Sequence, residues 1–130
     1  MSTIFLTTEN VLHIHEIQLA MFGGGTGIRK LHLLESAVAQ PKSGFGDKDF
    51  HRDVFDKAGA YWFCITKNHP FVDGNKRTGL CAALVFLYLN GYEVLLEEEE
   101  ILYSRAMKVA STAISSSNAA SKLRLICKTL

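Results

Sequence analysis

From Gly79 to Leu89 the chain carries no charged side chain, and a helix built from that stretch is apolar on every side. A helix without a solvent face belongs at the buried centre of a bundle, so the rest of the chain must wrap it. Its continuous part, Leu80 to Leu89, is about half of the roughly 20 residues that a membrane span needs. Directly before it stand His69-Pro70-Phe71-Val72-Asp73-Gly74-Asn75-Lys76-Arg77, which put a histidine, a carboxylate, a glycine-asparagine turn and two cations on one loop. A loop feeding a helix N-terminus offers unpaired backbone N–H groups and the positive end of the helix dipole to an anion. With an imidazole base and a metal-ligating carboxylate beside it, such a seat has the parts that phosphate-transfer chemistry requires.

A chain of 130 residues is one domain, able to bury roughly two-thirds of its unfolded surface. At 48% hydrophobic and 21% charged it is too apolar for disorder. A net charge of +1 argues against a broad electrostatic grip on nucleic acid or on an anionic membrane. Met1-Ser2-Thr3-Ile4-Phe5 lacks the charged region and cleavage site of a signal peptide. Cys64, Cys81 and Cys127 are odd in number and lack metal-ligand spacing. Together these features predict a cytoplasmic protein with reduced, buried thiols.

Helical periods dominate the chain and no strand alternation is strong, which predicts a single all-α domain, a bundle of about six helices. Thr7 or Thr8 can cap a first helix near Glu9 to Met21, with Val11, Leu12, Ile14, Ile17 and Leu19 supplying its contacts. The second is expected from Arg29 or Lys30 to Gln40, with Leu31, Leu34 and Val38 at helical spacing, and Pro41 ends it. Residues 41–49 read as a polar loop. A third helix, about Phe50 to Asn68, puts Val54, Ala58, Trp62 and Ile65 on one face. The central fourth spans about Lys76 to Asn90, with Gly91 as C-cap and an extended stretch from Tyr92 to Leu95. A fifth from about Glu97 to Ser111 and a sixth from about Asn118 to Thr129 complete the set.

On the loop, each residue type has a chemical use and a plainer alternative. His69 precedes Pro70, so its backbone is biased to an extended shape that projects the ring off the helix end. There a neutral imidazole can take a proton from a hydroxyl, or merely cap the helix. Asp73 can hold Mg²⁺, which needs only one or two carboxylates besides substrate phosphates, and it is also a natural turn former. Gly74 and Asn75 let backbone N–H groups approach a ligand, and the Asn75 amide can donate as well. Arg77 offers a bidentate phosphate contact, against the alternative of a solvated surface arginine. Phe71 is expected to anchor the loop in the core. His13 and His15, two apart on a helix, make a poor metal pair, and His32 and His51 are isolated. Gly23 to Gly27 lacks the strand and the lysine of a P-loop, so a tight turn is the expectation.

The pattern His-x-Phe-x-Asp-Gly-Asn-x-Arg, six specified residues in nine, resembles the signature of the Fic/Doc family of nucleotide-using protein modifiers. Asn75-Lys76-Arg77-Thr78 is most similar to the Doc ("death on curing") branch, toxins of toxin–antitoxin pairs. Gly23 to Arg29 and Leu33 to Ala37 are similar to segments common in that branch. The resemblance implies a Fic/Doc-like domain over 1–130 that uses ATP, or another nucleoside triphosphate, with Mg²⁺. His69 would then be the catalytic residue, Asp73 the metal ligand, and Gly74, Asn75, Lys76 and Arg77 the phosphate-binding set.

Two positions depart from the general Fic pattern: Lys76 stands where glycine is common, and Leu80 where a second arginine follows. By resemblance this implies phosphate transfer to a Ser/Thr hydroxyl of a target protein, with a translation elongation factor suggested. AMP transfer is the alternative within the family, and a catalytically silent binding module the alternative outside enzymology. The Ser/Thr-x-x-x-Glu-Gly/Asn motif of self-restraining relatives is missing, since Glu9-Asn10 is the only Glu-Gly/Asn pair and Phe5 occupies its hydroxyl position. A separate antitoxin that folds on docking near the site is therefore the expected partner. Residues 41–49 would be the flap that docks a target's backbone.

Overall fold

The structure, a computed structural model, describes residues 2–94 and 115–130. In chain order these form α1 (Thr8–Phe22), α2 (Leu31–Ala39) with a 3₁₀ turn (Gln40–Lys42), and the strands β1 (Gly44–Phe45) and β2 (Lys48–Asp49). Then come α3 (Val54–Asn68), α4 (Asn75–Leu89), β3 (Tyr92–Val94), α5 (Ser116–Ile126) and β4 (Cys127–Thr129). The domain is mostly helical, as expected, with five α-helices among the described residues rather than six. The helix expected from Glu97 to Ser111 lies outside the described residues. None of the helices described is long and apolar enough to cross a membrane.

Side-chain caps set the helix starts. Thr7 closes a box on α1: its hydroxyl accepts the Asn10 N–H at 3.1 Å, while Asn10 Oδ1 accepts the Thr7 N–H at 2.9 Å. Asp53 and Asp56 repeat the device on α3, which therefore begins at Val54 and not at Phe50. The residues ahead of it fold into a hairpin, with Gly44 opposite Asp49 and Phe45 opposite Lys48 across a Gly46-Asp47 connection. The polar loop expected at 41–49 is thus a 3₁₀ turn followed by this hairpin. The buried Lys57 ammonium ties its end down, donating to Asp49 Oδ2 at 3.3 Å and to the His51 and Arg52 carbonyls.

The last helix also ends early, at Ile126, because Cys127–Thr129 pairs antiparallel with Tyr92–Val94 and satisfies that strand's backbone groups. Strands of two or three residues are too short to leave an alternation in sequence.

At the centre, α4 buries Leu80, Ala82, Ala83, Phe86 and Leu87, while α3 packs against α2, α4 and α5. Trp62, Tyr61 and Ile65 fill the space between them. The Tyr61 hydroxyl accepts the Leu6 N–H at 2.9 Å, and burial pushes its pKa up to about 12. Burial likewise raises the half-buried thiols of Cys64 and Cys127 to about 11, which makes them poor nucleophiles.

The face of α1 that turns inward is Val11, Ile14, His15 and Gln18. Ile17, expected inside, is exposed, and so is Leu31 of α2. The helix gives up apolar burial at two positions to aim polar side chains inward, one of them at the motif loop.

Arg124 of α5 clamps the start of α3, its Nη2 lying 2.8 Å from both Asp53 Oδ2 and Asp56 Oδ1. Burial alone would raise the Asp53 pKa, but the Asp56 N–H and Arg124 outweigh it and the net shift is downward. A carboxylate depressed in the folded state stabilises above its unfolded pKa, near 4, and that contribution fades as pH falls through the folded value. Asp53→Ala is expected to cost about 1 kcal/mol at neutral pH, the usual loss of an N-cap. Thermal melts followed by circular dichroism should show the gap from wild type narrowing as the pH is lowered past the unfolded carboxylate pKa, about 4; a gap independent of pH would contradict this.

Candidate active site

The motif loop is closed by a side chain that sequence reading assigned to ligand binding. Asn75, buried at the first turn of α4, accepts the Phe71 N–H on Oδ1 at 2.9 Å and donates from Nδ2 to the Phe71 carbonyl at 3.0 Å. Its Oδ1 and one of the two Nδ2 hydrogens are committed to Phe71, so the side chain has a structural task that the sequence did not announce. Phe71 itself is fully buried and anchors the loop in the core.

Gly74 then takes φ 78°, a left-handed conformation that glycine adopts without strain, and serves as N-cap of α4. The cap makes no side-chain hydrogen bond, and the first turn carries no acidic residue. The first intrahelical bond is Thr78 N–H to the Gly74 carbonyl, which leaves the Asn75, Lys76 and Arg77 N–H groups as the open end of the helix.

Asp73 is set from two sides. Gly74 N–H donates to Oδ1 at 2.9 Å, and Gly25 N–H, from the glycine-rich segment, donates to Oδ2 at 3.2 Å. These donors, Gly25 first, hold the carboxyl below the usual carboxylate range, with Arg77 and His15 acting in the same sense. The segment after α1 is therefore more than a turn. It runs against the motif loop through Val72 N–H to the Gly27 carbonyl (3.1 Å) and a bridge between Ile28 and Phe71. A Cβ on Gly24 would meet Asp73 Oδ2 at 3.0 Å and Leu19 Cδ2 at 3.1 Å.

His69 departs from its sequence expectation. Its backbone lies at φ 52°, ψ 53°, left-handed rather than extended, as the C-cap of α3. A left-handed residue is the usual way to end a helix, and here that demand overrides the bias from Pro70. Arg29 secures the bend: its Nε donates to the His69 carbonyl at 2.8 Å and its Nη2 to the Asn68 carbonyl at 3.2 Å. Nothing local in the sequence marks Arg29 for this task, since its partners lie about forty residues away.

The outcome is one cavity of about 210 Å³ lined by His69, Asp73, Gly74, Asn75, Lys76 and Arg77. Arg77 stacks on the Phe22 ring, 4.5 Å from its centroid, and makes no ion pair among the described residues. A guanidinium held over a ring still has its N–H donors to offer an oxygen ligand. Lys76 lines the cavity as a half-buried cation. Leu80 does not line it: this residue is fully buried in the core, so an arginine could not stand there without reorganising the helix packing. No cluster of three metal-ligating side chains occurs among the described residues. Exposed Asp73 suits a hard cation that takes its remaining ligands from substrate phosphates and water, the usual habit of Mg²⁺.

Residues 5–87 match the Fic/DOC family, and this chain belongs to it. It is 39% identical over 92 residues, 71% of this chain and 68% of the other, to "Toxin Doc" of Mycolicibacterium smegmatis. Over 119 residues, 92% of each chain, it is 28% identical to "Protein kinase doc" of Escherichia phage P1.

Gly24→Ala tests the two-sided seating of Asp73. The added Cβ would stand 3.0 Å from Oδ2 on a residue at φ 126°, so the carboxylate and the backbone that carries the Gly25 N–H must shift apart, which weakens their bond and lets the Asp73 pKa rise toward the ordinary range. Carboxyl ¹³C shifts followed against pH should report that rise for Asp73 alone. An unchanged Asp73 titration would show that the glycine-rich segment does not hold it.

Proposed function

We propose that this protein is a Doc-type toxin that moves the γ-phosphate of ATP, or another nucleoside triphosphate, to a Ser or Thr hydroxyl of a target protein. The observation that carries the reading is the convergence of an imidazole, a carboxylate, two cations and a helix N-terminus without a side-chain cap bond on one cavity. Similarity to proteins described as a toxin and as a protein kinase, over most of the chain, supports the same reading.

His69 takes the proton of the attacking hydroxyl as its oxygen bonds to the γ-phosphorus, and the bond to the bridging oxygen breaks to release ADP. The Asn75, Lys76 and Arg77 N–H groups and the Arg77 guanidinium receive the phosphoryl oxygens where charge gathers. Gly74 keeps side-chain atoms out of their path. Asp73 holds the Mg²⁺ that, when bound, neutralises phosphate charge. Lys76 favours phosphate over AMP transfer, since a long cation fills room that glycine would leave for the rest of a triphosphate tail. Leu80, being core, does not bear on the choice. The β1–β2 hairpin is the element to receive the target's backbone.

A toxin of this kind needs restraint. Its own sequence lacks the self-restraining motif, so a small antitoxin, disordered until it docks near the site, is the proposed partner.

ATP labelled separately at the α and γ positions, incubated with protein, Mg²⁺ and a cell extract, tests the reaction directly. Label is expected in protein from the γ position alone, and none with His69→Ala. Transfer from the α position would overturn phosphate transfer in favour of AMP transfer; transfer surviving in His69→Ala would remove the base. At roughly 1.5–3 kcal/mol for each charge-assisted contact, Arg77→Ala should weaken ATP binding at least about tenfold by calorimetry.

A further inference from the structure

His15 has no part in the chemistry above, yet it is held firmly against the loop. It is 5% exposed, on the inward face of α1. The imidazole lies flat against the Phe71 ring, with centroids 3.7 Å apart and planes 6° from parallel. Its Nε2 stands 2.8 Å from the Asp73 carbonyl oxygen. A carbonyl only accepts, so Nε2 must carry the hydrogen. His13, two residues earlier, faces outward near Glu16 and shares none of this.

We propose that His15 is a positioning residue for the metal-ligating carboxylate. By donating from Nε2–H it pins the peptide between Asp73 and Gly74, while the Phe71 stack prevents the ring from tilting. The peptide is the hinge between the two functions of the loop. On one side it sets where the Asp73 carboxylate points, toward the Gly25 N–H and the cavity. On the other, it sets the left-handed turn at Gly74 that opens the α4 N-terminus. Gly74 runs close beneath the same ring, since a Cβ there would stand 3.6 Å from His15 Cδ2. A residue in this place needs a flat face to stack and a donor at its tip, and imidazole has both. The ligand it serves is a divalent cation bound with a nucleotide triphosphate, so the inference rests on the function proposed above.

The test compares His15→Phe, which keeps the stack and removes the donor, with His15→Gln, which keeps a donor. Calorimetry would measure ATP affinity with Mn²⁺ and again with a chelator in its place. Loss of a group that orients a metal ligand typically lowers metal affinity about 10–100-fold. His15→Phe should therefore lose at least about tenfold in the Mn²⁺-dependent affinity, with metal-free ATP affinity unchanged, and His15→Gln should recover part of it. Metal-dependent binding in the wild type that persists in His15→Phe overturns this inference and leaves the proposed function standing. No metal-dependent binding in the wild type overturns both. Should His15→Phe fail to fold, long-range ¹H–¹⁵N correlation on the wild-type protein decides the case. A hydrogen on Nε2 of His15 is expected, and its absence there would overturn the assignment.

Discussion

A single primary amide sets the shape of the motif loop. Asn75 reaches back four residues and bonds both the N–H and the C=O of Phe71, at 2.9 and 3.0 Å, inside the protein. Two satisfied bonds in a dry setting are worth more than the same pair at the surface, where water competes for each. The clamp fixes where the chain re-enters the helix, and with it the direction of three backbone N–H groups. Asn90, at the other end of α4, repeats the arrangement on Ile4, accepting its N–H and donating to its carbonyl, both at 2.9 Å. The central helix is thus tied at each end to an extended segment by the same chemistry.

Three further tethers hold the loop from outside. Arg29 grips the turn at His69, Gly25 receives the Asp73 carboxylate, and His15 bonds its main chain. Such tethering matters because the loop carries strain. A left-handed residue with a side chain costs about 1–3 kcal/mol, and His69 is the one non-glycine residue with positive φ among the described residues. Its ring reaches the cavity from that conformation. The surroundings therefore stabilise a shape that the local sequence, histidine before proline, disfavours.

How far the chain could be read in advance follows from the range of each interaction. The helices were legible because periodicity is local, and so is a cap such as Thr7 with its partner three residues on; the Asp53 cap, equally local, went unread, so the third helix was expected four residues early. The loop was legible as a motif because its residues are contiguous. What could not be read was the role of residues whose partners lie far along the chain. His15 looked like half of a poor metal pair, yet its partner is 58 residues away; the glycine cluster looked like a turn, yet Gly25 meets Asp73 across 48. Asn75 was expected to offer its amide to a ligand, and its bonds to Phe71 went unforeseen, because a donor-acceptor group shows its inventory in sequence and not its partner. Leu80 was weighed as a missing arginine, and only packing shows it as core.

These tethers hold the loop in its anion-receiving shape before any ligand arrives, and the proposed function puts the γ-phosphate at the α4 N-terminus. The most direct measurement is a pair of crystal structures, without ligand and with Mg²⁺ and a non-hydrolysable ATP analogue. The backbone from His69 to Arg77 should be the same in both. The γ-phosphate should lie on the Asn75, Lys76 and Arg77 N–H groups, with the metal on Asp73. A loop that rearranges on binding, or an α-phosphate in that seat, would contradict this.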